Sequence, residues 1–439
     1  MPLPVLFCER MKMMLKEDYA PFLAEYQKPH LRGIRLNPLK CTMETLRDSL
    51  PFPISPSPFF PLSCYAPEEK VGALPAHHAG MFYAQEPSAS SAVTVLAPEP
   101  GERILDLCAA PGGKSTQIAS LMEGRGLLWS NEIVRQRAGI LLSNLERMGV
   151  RNAVVSSCHP QRLCEGLRGY FDRVLVDAPC SGEGMFRRDE AAVAAWSPEH
   201  VSACAVRQAS ILDSAALAVR EGGILVYSTC TFSMEENEGA VTAFLERHPE
   251  FQLEPVSCGF GRPAYGMPAL RIFPMDGGEG HFVAKLRRTG ENPSRVSEYL
   301  PPKAGPEEKE ARVLYESLFS APCFGTPQKA GERIILLPAG LPAFSGLGVL
   351  RAGVELGECR GKRIEPAHSL FLAQDGAECR RKLTFEPEHP SLLAFLRGEE
   401  IECGENGYTA VCVNGVVTGF GKASGGRLKN RYPKGLRNH

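Results

Sequence analysis

Two cysteines and an aspartate stand where predicted strands end, and together they could carry out covalent catalysis. Cys180 closes the run Asp177-Ala-Pro-Cys180 after the apolar segment 173–178, and Cys230 follows the apolar segment 224–229. In a doubly wound sheet the carboxyl ends of the strands face the ligand crevice, so these groups are expected at one edge. A lone cysteine is usually a small buried apolar residue, but three such groups at one edge favour chemistry.

Another predicted strand, RILDLC (103–108), leads into a turn of small residues that precedes a helix. The turn is not a nucleoside-triphosphate loop, because the first glycine of that motif would fall on Cys108. It also lacks the GxGxxG pattern of dinucleotide sites. What remains is a strand that ends in Asp106, a turn that lets backbone approach a ligand closely, and Glu132 at the end of the next strand. A carboxylate there accepts both hydroxyls of an adenosine ribose, so the pattern indicates an adenosine cofactor more than a packing turn.

An adenosine cofactor beside a thiol suggests methyl transfer to a poor carbon nucleophile such as C5 of a pyrimidine. A thiolate that adds to C6 makes C5 nucleophilic toward a methylsulfonium; a base then removes the C5 proton and the thiol leaves. The target base must be single-stranded or flipped out of its stack to enter such a site.

The elements that must position these groups belong to an α/β domain predicted over residues 76–290. Short apolar runs alternate there with helical patterns, which predicts a largely parallel sheet. A proline-rich stretch at 51–63 lies near the end of an N-terminal part, 1–75. A polar stretch at 287–312 marks the boundary with an intermediate part, 291–365, which is followed by a final domain, 366–439. The predicted strands are 103–108, 127–132, 153–157, 173–178 and 222–230, and the predicted helices are 134–148 and 198–220.

The composition narrows the class of protein. The 439 residues are 44% hydrophobic, which excludes general disorder, and the net charge of −1 leaves nucleic-acid contacts to local basic patches. The 15 cysteines include no CxxC pair, which disfavours a metal centre and indicates free thiols in a reducing compartment. No segment approaches the ~20 apolar residues of a membrane span. We therefore expect a soluble, cytoplasmic monomer without a metal ion.

Three long segments resemble the Nop/Sun (Fmu-type) RNA cytosine-5 methyltransferases: LDLCAAPGGKSTQIA (105–119), DRVLVDAPCSGEGMFRRD (172–189) and YSTCTFSMEENE (227–238). GMFYAQEPSAS (80–90) is similar to the segment that enters the family's catalytic domain. The resemblance implies an α/β fold with a Rossmann-like, S-adenosylmethionine-dependent methyltransferase sheet of seven strands. Its antiparallel last strand would be HFVAKLRR (281–288), and 5-methylcytosine would be the product.

The resemblance also implies a role for each residue of the motifs. Glu132 would hold the cofactor ribose, and Asp177 would lie between cofactor and base. Cys230 would be the nucleophile and Cys180 would release the product, although DNA cytosine-5 methyltransferases attack with the Pro-Cys thiol, which leaves the reverse assignment open. Lys114 would reach the catalytic pocket or bind the cofactor carboxylate. The residues that would line the cofactor are Cys108, Ala109, Ala110, Pro111, Gly112, Gly113 and Lys114.

One position departs from the family pattern. After the third strand the family often places an acid near the adenine, whereas this chain has Ser157-Cys158-His159-Pro160. His159 is therefore either a substitute ligand or an ordinary loop histidine, and we favour the second.

Both ends of the chain are candidates for RNA contacts. GFGKASGGRLKNRYPKGLR (419–437) resembles the end of the bacterial small-subunit ribosomal RNA methyltransferase F group, whose last domain is an RNA-binding PUA-like β-barrel. EYQKPHLRGIRLNPLK (25–40) resembles the family's N-terminal RNA-contacting segment. These basic residues could follow a phosphate backbone or simply be solvated charge. The candidates are Arg32, Arg35, Lys40, Lys422, Lys429, Arg431 and Lys434.

The favoured substrate is small-subunit (16S) ribosomal RNA. Transfer RNA stays open as an alternative, because catalytic residues identify the base and not the RNA that carries it. A non-catalytic RNA-binding factor in ribosome assembly is a second alternative.

Overall fold

The N-terminal part of the computed structural model combines helices with a small antiparallel sheet. The structure describes residues 2–67, 70–361 and 363–438. The helices here are α1 (Val5–Leu15), α2 (Tyr19–Glu25), α3 (Met43–Asp48) and α4 (Pro75–His78), and the strands are β1 (Gly33–Leu36), β2 (Ser55–Pro56), β3 (Ser63–Tyr65) and β4 (Phe82–Ala84). The strand order is β2-β3-β1-β4, with every pair antiparallel.

The middle of the chain forms the large sheet that carries the candidate site. Its strands are β5 (Arg103–Asp106), β6 (Leu127–Asn131), β7 (Ala153–Ser156), β8 (Phe171–Asp177), β9 (Val219–Thr229), β10 (Phe251–Glu254), β11 (Arg262–Pro263), β12 (Leu270–Ile272) and β13 (His281–Arg288). Its helices are α5 (Ser91–Leu96), α6 (Gly113–Met122), α7 (Arg135–Arg147), α8 (Pro160–Gly166), α9 (Glu190–Ala195), α10 (Pro198–Ala218) and α11 (Glu238–Arg247).

The pairing of these strands confirms the expected Rossmann-like core, although the whole sheet has ten strands instead of the expected seven. Five strands are parallel in the order β7-β6-β5-β8-β9, and β13 lies antiparallel between β9 on one side and β10 and β12 on the other. Two apolar clusters, one built around Trp129 and the other around Leu128, pack on the sheet. Burial on both faces explains why the parallel strands are continuous apolar runs instead of alternating ones.

The intermediate part is joined to this sheet more closely than its sequence indicates. Its strand β16 (Val349–Ala352) pairs antiparallel with β7 and covers an edge that would otherwise expose free backbone groups. The remaining strands form a separate sheet of order β14-β15-β17-β18. These elements are α12 (Pro306–Leu318), β14 (Thr326–Ala330), β15 (Arg333–Leu337), β17 (Val354–Arg360), β18 (Arg363–Pro366) and α13 (His368–Leu372). We count α13 with this part, beyond the boundary expected at 365, because Leu370 and Phe371 pack in one apolar cluster with Leu336.

The C-terminal part is a five-stranded sheet of order β19-β21-β22-β23-β20. Its elements are β19 (Lys382–Phe385), α14 (Pro390–Arg397), β20 (Ile401–Glu402), β21 (Gly407–Val413), β22 (Val416–Ser424) and β23 (Arg427–Asn430). It shares an apolar cluster with the N-terminal sheet, including Leu36, Phe82 and Phe395. His78 Nδ1 also lies 2.6 Å from Tyr432 Oη. The two ends of the chain are therefore neighbours.

The longest helix of the described residues, α10, packs against β8, β9 and α11. Ser197 caps its N-terminus, since the Ser197 hydroxyl accepts a hydrogen bond from His200 N at 3.1 Å. In the described ranges, no helix combines the length and apolar character needed to cross a membrane. The same ranges contain no group of three His, Cys, Asp or Glu side chains arranged to hold a metal ion.

Candidate active site

Four parallel strands deliver the predicted site residues to one edge of the sheet. β5 leads into the turn 107–112, β6 ends beside Glu132, β8 ends at Asp177 shortly before Cys180, and β9 ends beside Cys230. Adjacent parallel strands place their carboxyl ends together, which is why residues so distant in sequence meet.

The two thiols form a close pair, with 3.3 Å between Cys180 Sγ and Cys230 Sγ. A hydrogen bond from Cys180 lowers the pKa of the Cys230 thiol, and nearby Lys114 adds to this effect. The same contact with Cys230, together with burial, raises the pKa of Cys180 well above its ordinary value. The pair thus favours a thiolate on Cys230 and a protonated, donating thiol on Cys180.

Two buried glutamates hold the loops that carry the thiols. Glu236 accepts hydrogen bonds from Ser181 N at 3.0 Å and from Gln208 Nε2 at 2.8 Å, beside Cys180. Glu183 accepts from Thr231 Oγ1 at 2.9 Å, from Phe232 N at 2.8 Å and from Trp196 Nε1 at 2.9 Å, beside Cys230. Burial raises the pKa of both carboxyl groups. Each loop is therefore fixed by a residue from the motif that carries the other thiol.

Lys114 and Asp177 form an ion pair next to the thiols. Lys114 Nζ lies 2.7 Å from Asp177 Oδ2, and Ser228 Oγ donates to Asp177 Oδ1 at 2.8 Å. Burial alone would lower the pKa of Lys114, but the Asp177 carboxylate outweighs it and raises that pKa. The lysine stays charged, and the aspartate is oriented by partners on both sides.

Two cavities meet at this pair of thiols. The larger, of about 620 Å³, extends toward Glu132, Pro160 and Ile211. The smaller, of about 350 Å³, extends over Lys114 toward His281. The residues that border both are Cys108, Ala110, Asp177, Met185 and Cys230. The arrangement provides two adjoining compartments with a nucleophile at their boundary.

The larger cavity fits an adenosine-containing cofactor. Glu132 borders it with a side chain only 5% exposed, and its Oε1 accepts from Val134 N at 2.9 Å. Apolar groups of Ile133, Pro160 and Ile211 border the same cavity and suit the faces of an adenine. His159 also borders it, while its Nδ1 caps α8 by accepting from Gln161 N at 3.3 Å.

The turn 107–112 separates the two cavities. Cys108 and Ala110 border both, and Ala109, Pro111 and Gly113 border the smaller one. Gly112 has a φ of 117°, which disfavours side chains, and a β-carbon there would lie 3.2 Å from Leu141 Cδ1. Gly112 therefore shapes the turn.

Cys108 is a poor candidate for the attacking thiol although it borders both cavities. Burial raises the pKa of its thiol well above the ordinary value, and the Asp106, Asp177 and Glu132 carboxylates add to the shift. A protonated, buried thiol is a poor nucleophile, which leaves Cys108 as a wall of both cavities.

The structure corrects the expectation that Arg35 contacts RNA phosphates. Arg35 is completely buried, and its Nη2 donates to Gly113 O at 2.8 Å and to Thr116 Oγ1 at 2.7 Å. Its Nε donates to Gln85 Oε1 at 3.1 Å, and burial lowers its pKa to about 9. Arg35 thus ties the N-terminal sheet to the start of α6, where the cofactor turn ends.

Lys40 is corrected for a similar reason. Its ammonium donates to the carbonyl oxygen of Leu372 in the intermediate part, and its side chain packs against Gly149. Burial, followed by the nearby Arg151, lowers its pKa to about 8. The contact joins three parts of the chain instead of facing solvent.

The other basic candidates remain accessible. Lys422 and Lys429 are exposed and lie opposite each other on β22 and β23. Lys434 and Arg431 are also exposed, and Arg431 lies 3.6 Å from the Glu365 carboxylate. Arg32 is half-buried and donates to His30 Nε2 at 3.1 Å.

Replacement of Arg35 by alanine is expected to lower the free energy of unfolding by about 2–4 kcal/mol, because three acceptors lose their donor and a cavity opens. Urea denaturation measures this change. Lys434→Ala, at an exposed position, is the control and should stay within about 0.5 kcal/mol of the parent. An unchanged unfolding midpoint together with weaker RNA binding by Arg35→Ala would restore the phosphate-contact interpretation.

Several residues of the smaller cavity were not among the sequence candidates. Its far wall is built by Tyr83, Gln85, Glu86, Arg188, Glu279 and His281. His281 Nδ1 lies 3.0 Å from Ser88 Oγ, and burial lowers its pKa to about 3, so it is neutral. Four of these residues lie in the motif segments 80–90 and 172–189, and Glu279 and His281 lie outside them. The local sequence pattern does not show which side chains of these segments border a cavity.

Four protein-family models together match nearly the whole chain. The model described as 16S rRNA methyltransferase RsmB/F matches residues 93–287. The N-terminal domain of 16S rRNA methyltransferase RsmF matches residues 3–87. The first C-terminal domain of the RsmF rRNA methyltransferase matches 315–373, and the methyltransferase RsmF PUA domain matches 382–438. The last match identifies the C-terminal sheet as a PUA domain.

Individual proteins agree with these models. The chain is 32% identical to ribosomal RNA small subunit methyltransferase F of Klebsiella pneumoniae, over 95% of this chain and 93% of that protein. It is 32% identical to the protein of the same name from Vibrio vulnificus, over 99% of this chain and 97% of that protein. Its fold matches the crystal structure of NSun6 from Pyrococcus horikoshii with a TM-score of 0.59 and 25% identity, over 66% of this chain and 99% of that one. The chain therefore belongs to the 16S rRNA methyltransferase RsmB/F family, whose members use S-adenosylmethionine.

Proposed function

We propose that this enzyme methylates C5 of a cytosine in small-subunit ribosomal RNA through a covalent bond between Cys230 and C6 of the base. The observation that carries the proposal is the thiol pair at the boundary of two cavities, with Lys114 and Asp177 beside it. Such a pair suits a reaction in which one thiol adds to C6 to make C5 nucleophilic and the other takes the C5 proton so that the enzyme is released.

Each cavity has a proposed occupant. Glu132 would hold the ribose of S-adenosylmethionine in the larger cavity, where the apolar wall receives the adenine. S-adenosylmethionine, when bound, supplies the methyl group as an electrophilic methylsulfonium. The smaller cavity would receive the cytosine after it leaves its stack, since Cys230 and Lys114 both border that space.

Cys230 begins the reaction as the nucleophile. Its thiolate, accepting a hydrogen bond from Cys180, forms a bond to C6 while the C5–C6 π electrons make C5 nucleophilic. Asp177, held by Lys114 and Ser228, faces both compartments and would orient the base. The C5 carbon then takes the methyl group.

Cys180 completes the reaction as a proton acceptor. The contact with Cys230 is the main reason that its pKa is raised, and the charge on Cys230 disappears once that sulfur is bonded to C6. Cys180 can then lose its proton to solvent and take the C5 proton as a thiolate. The C5–H electrons restore the double bond, and Cys230 leaves as a thiolate, so the whole cycle releases one proton.

The exposed C-terminal cations are the proposed contacts to the RNA backbone. Lys422 and Lys429 form a neighbouring pair of positive charges on the PUA domain, and Lys434 lies further along the chain. Arg431 extends the same basic segment, and Arg32 on the adjacent N-terminal part is the remaining candidate. Such contacts position the RNA without reading its sequence.

We also propose that the protein acts as a monomer, since one chain carries both thiols together with Lys114 and Glu132 around the two cavities. Its proposed ribosomal RNA substrate would place its action in the cytoplasm. The test measures transfer of radiolabelled methyl from S-adenosylmethionine to RNA and to small subunits from a strain that lacks the gene. We expect label in small-subunit RNA at C5 of cytosine. Label confined to transfer RNA, or no label on any substrate, would contradict the proposal.

Replacement of Glu132 by alanine is expected to raise the Kd for S-adenosylmethionine about 10- to 100-fold, because charge-assisted hydrogen bonds to the ribose are lost. Isothermal titration calorimetry measures the affinity directly. Glu123→Ala removes an exposed carboxylate at the far end of α6 and should leave the affinity unchanged. Equal affinities of the two variants would place the ribose elsewhere.

A further inference from the structure

Arg188 stands out among the charged groups that border the smaller cavity. Lys114 is paired with Asp177 at 2.7 Å, and Glu279 is paired with Arg187 at 2.9 Å. Arg188 borders the same cavity, yet its guanidinium has no carboxylate within ion-pair distance among the residues that the structure describes.

The guanidinium of Arg188 rests on a weak acceptor. Its Nη2 lies 2.7 Å and its Nε 3.2 Å from the thioether sulfur of Met185. A thioether accepts hydrogen bonds poorly, so the donating capacity of the arginine is largely unused. The neighbouring Asp189 is engaged elsewhere, since its carboxylate caps α9 by accepting from Ala191 N at 2.9 Å.

The backbone that presents Arg188 is firmly anchored. Arg188 N donates to Met185 O at 2.9 Å, and the preceding Phe186 is packed edge-on against Phe7 in a buried aromatic cluster. The Arg187 side chain is only 3% exposed and donates to Pro29 O at 2.6 Å as well as to Glu279. The anchored turn therefore fixes the point on the rim of the cavity from which the exposed Arg188 side chain extends.

The depth of the cavity indicates what Arg188 would meet. Lys114 and Cys230 lie at the buried end, whereas Arg188 is exposed at the mouth. A nucleotide that inserts its neutral base toward Cys230 leaves its anionic phosphate at the mouth. The guanidinium fork matches two phosphate oxygens, which a point charge such as lysine cannot do.

We propose that Arg188 binds a backbone phosphate of the cytidine whose base occupies the smaller cavity, and so positions the extruded nucleotide. This inference rests on the proposed function, since it requires an RNA base in that cavity. It assigns Arg188 to binding of the nucleotide backbone and not to the bond-making steps at C5 and C6.

The test compares Arg188→Ala, Arg188→Lys and wild type in steady-state methylation of small-subunit RNA, or of small subunits, from a strain that lacks the gene. For Arg188→Ala we expect the KM for RNA to rise about 10- to 100-fold, with the KM for S-adenosylmethionine unchanged. The charge of Arg188 also contributes to the lowered pKa of Cys230, so kcat at saturating RNA is compared at alkaline pH, where it should match wild type. The logarithm of the RNA affinity falls linearly with the logarithm of the salt concentration, and removal of one phosphate contact should make that slope shallower by about 0.7. Arg188→Lys should keep that slope and show an intermediate KM, because it retains the charge but not the fork.

Arg125→Ala is the matched control, because Arg125 is an exposed arginine at the opposite edge of the sheet, paired with Glu123. It should match wild type in both KM and salt slope. A lower kcat for Arg188→Ala with an unchanged KM and slope would overturn the proposal and place the arginine on the base itself. If wild type labels no RNA in either substrate, the proposed function fails, a result that is distinct from failure of the arginine variant alone.

Discussion

Replacement of Cys230 by alanine is expected to lower kcat for methyl transfer by roughly 10⁴-fold or more, which is the scale seen when a covalent nucleophile is removed. Without its thiolate nothing in the smaller cavity can add to C6, and C5 of an unactivated cytosine does not attack a methylsulfonium at a useful rate. Cys108 cannot substitute, because its buried thiol has a strongly raised pKa. Single-turnover transfer of labelled methyl, at saturating RNA and cofactor, measures the effect.

The control for this variant is Cys258→Ala, which removes a half-buried free thiol that borders neither cavity. It should retain wild-type turnover, and both variants should bind S-adenosylmethionine normally. Residual turnover of Cys230→Ala above a few per cent would exclude Cys230 as the nucleophile. Loss of activity by Cys180→Ala without any adduct would then support the reverse assignment of the thiols.

The catalytic edge could be predicted from the sequence because it follows from local patterns. Strand ends are visible as the point where an apolar run meets Asp177 or Cys230, and parallel strands bring such ends together. The antiparallel strand expected at 281–288 is β13 as observed. The helix expected over 198–220 ends at Ala218 instead, because Val219 already pairs with Phe171 in the sheet.

The features that the sequence did not predict are contacts between distant segments. Arg35 has the same local pattern as a surface arginine, and only the packing of the N-terminal sheet on α6 shows that it is buried. The placement of β16 beside β7 depends on β7 being the open edge strand of the large sheet. The four residues of β16 carry no local pattern that predicts this partner. The far wall of the smaller cavity, with Glu86 and His281, likewise requires segments almost 200 residues apart to meet.

Replacement of Cys180 by alanine is expected to separate the two halves of the reaction. The variant keeps Cys230, Lys114 and Asp177, so the bond to C6 still forms and the methyl group is still transferred. It lacks the group that takes the C5 proton, so the methylated base stays bonded to Cys230. We expect a burst of about one methyl per enzyme, followed by turnover reduced at least ~100-fold.

The trapped species is visible as a protein–RNA band that survives denaturation and carries the methyl label. The double variant Cys180→Ala, Cys230→Ala is the decisive control, because it should form no band if Cys230 is the attached residue. Removal of the Cys180 thiol also deletes the hydrogen bond that lowers the pKa of Cys230, so the burst should slow at neutral pH and recover as the pH rises. A burst rate that is independent of pH would contradict the donor role of Cys180. An adduct that persists in the double variant would contradict the attachment at Cys230 itself.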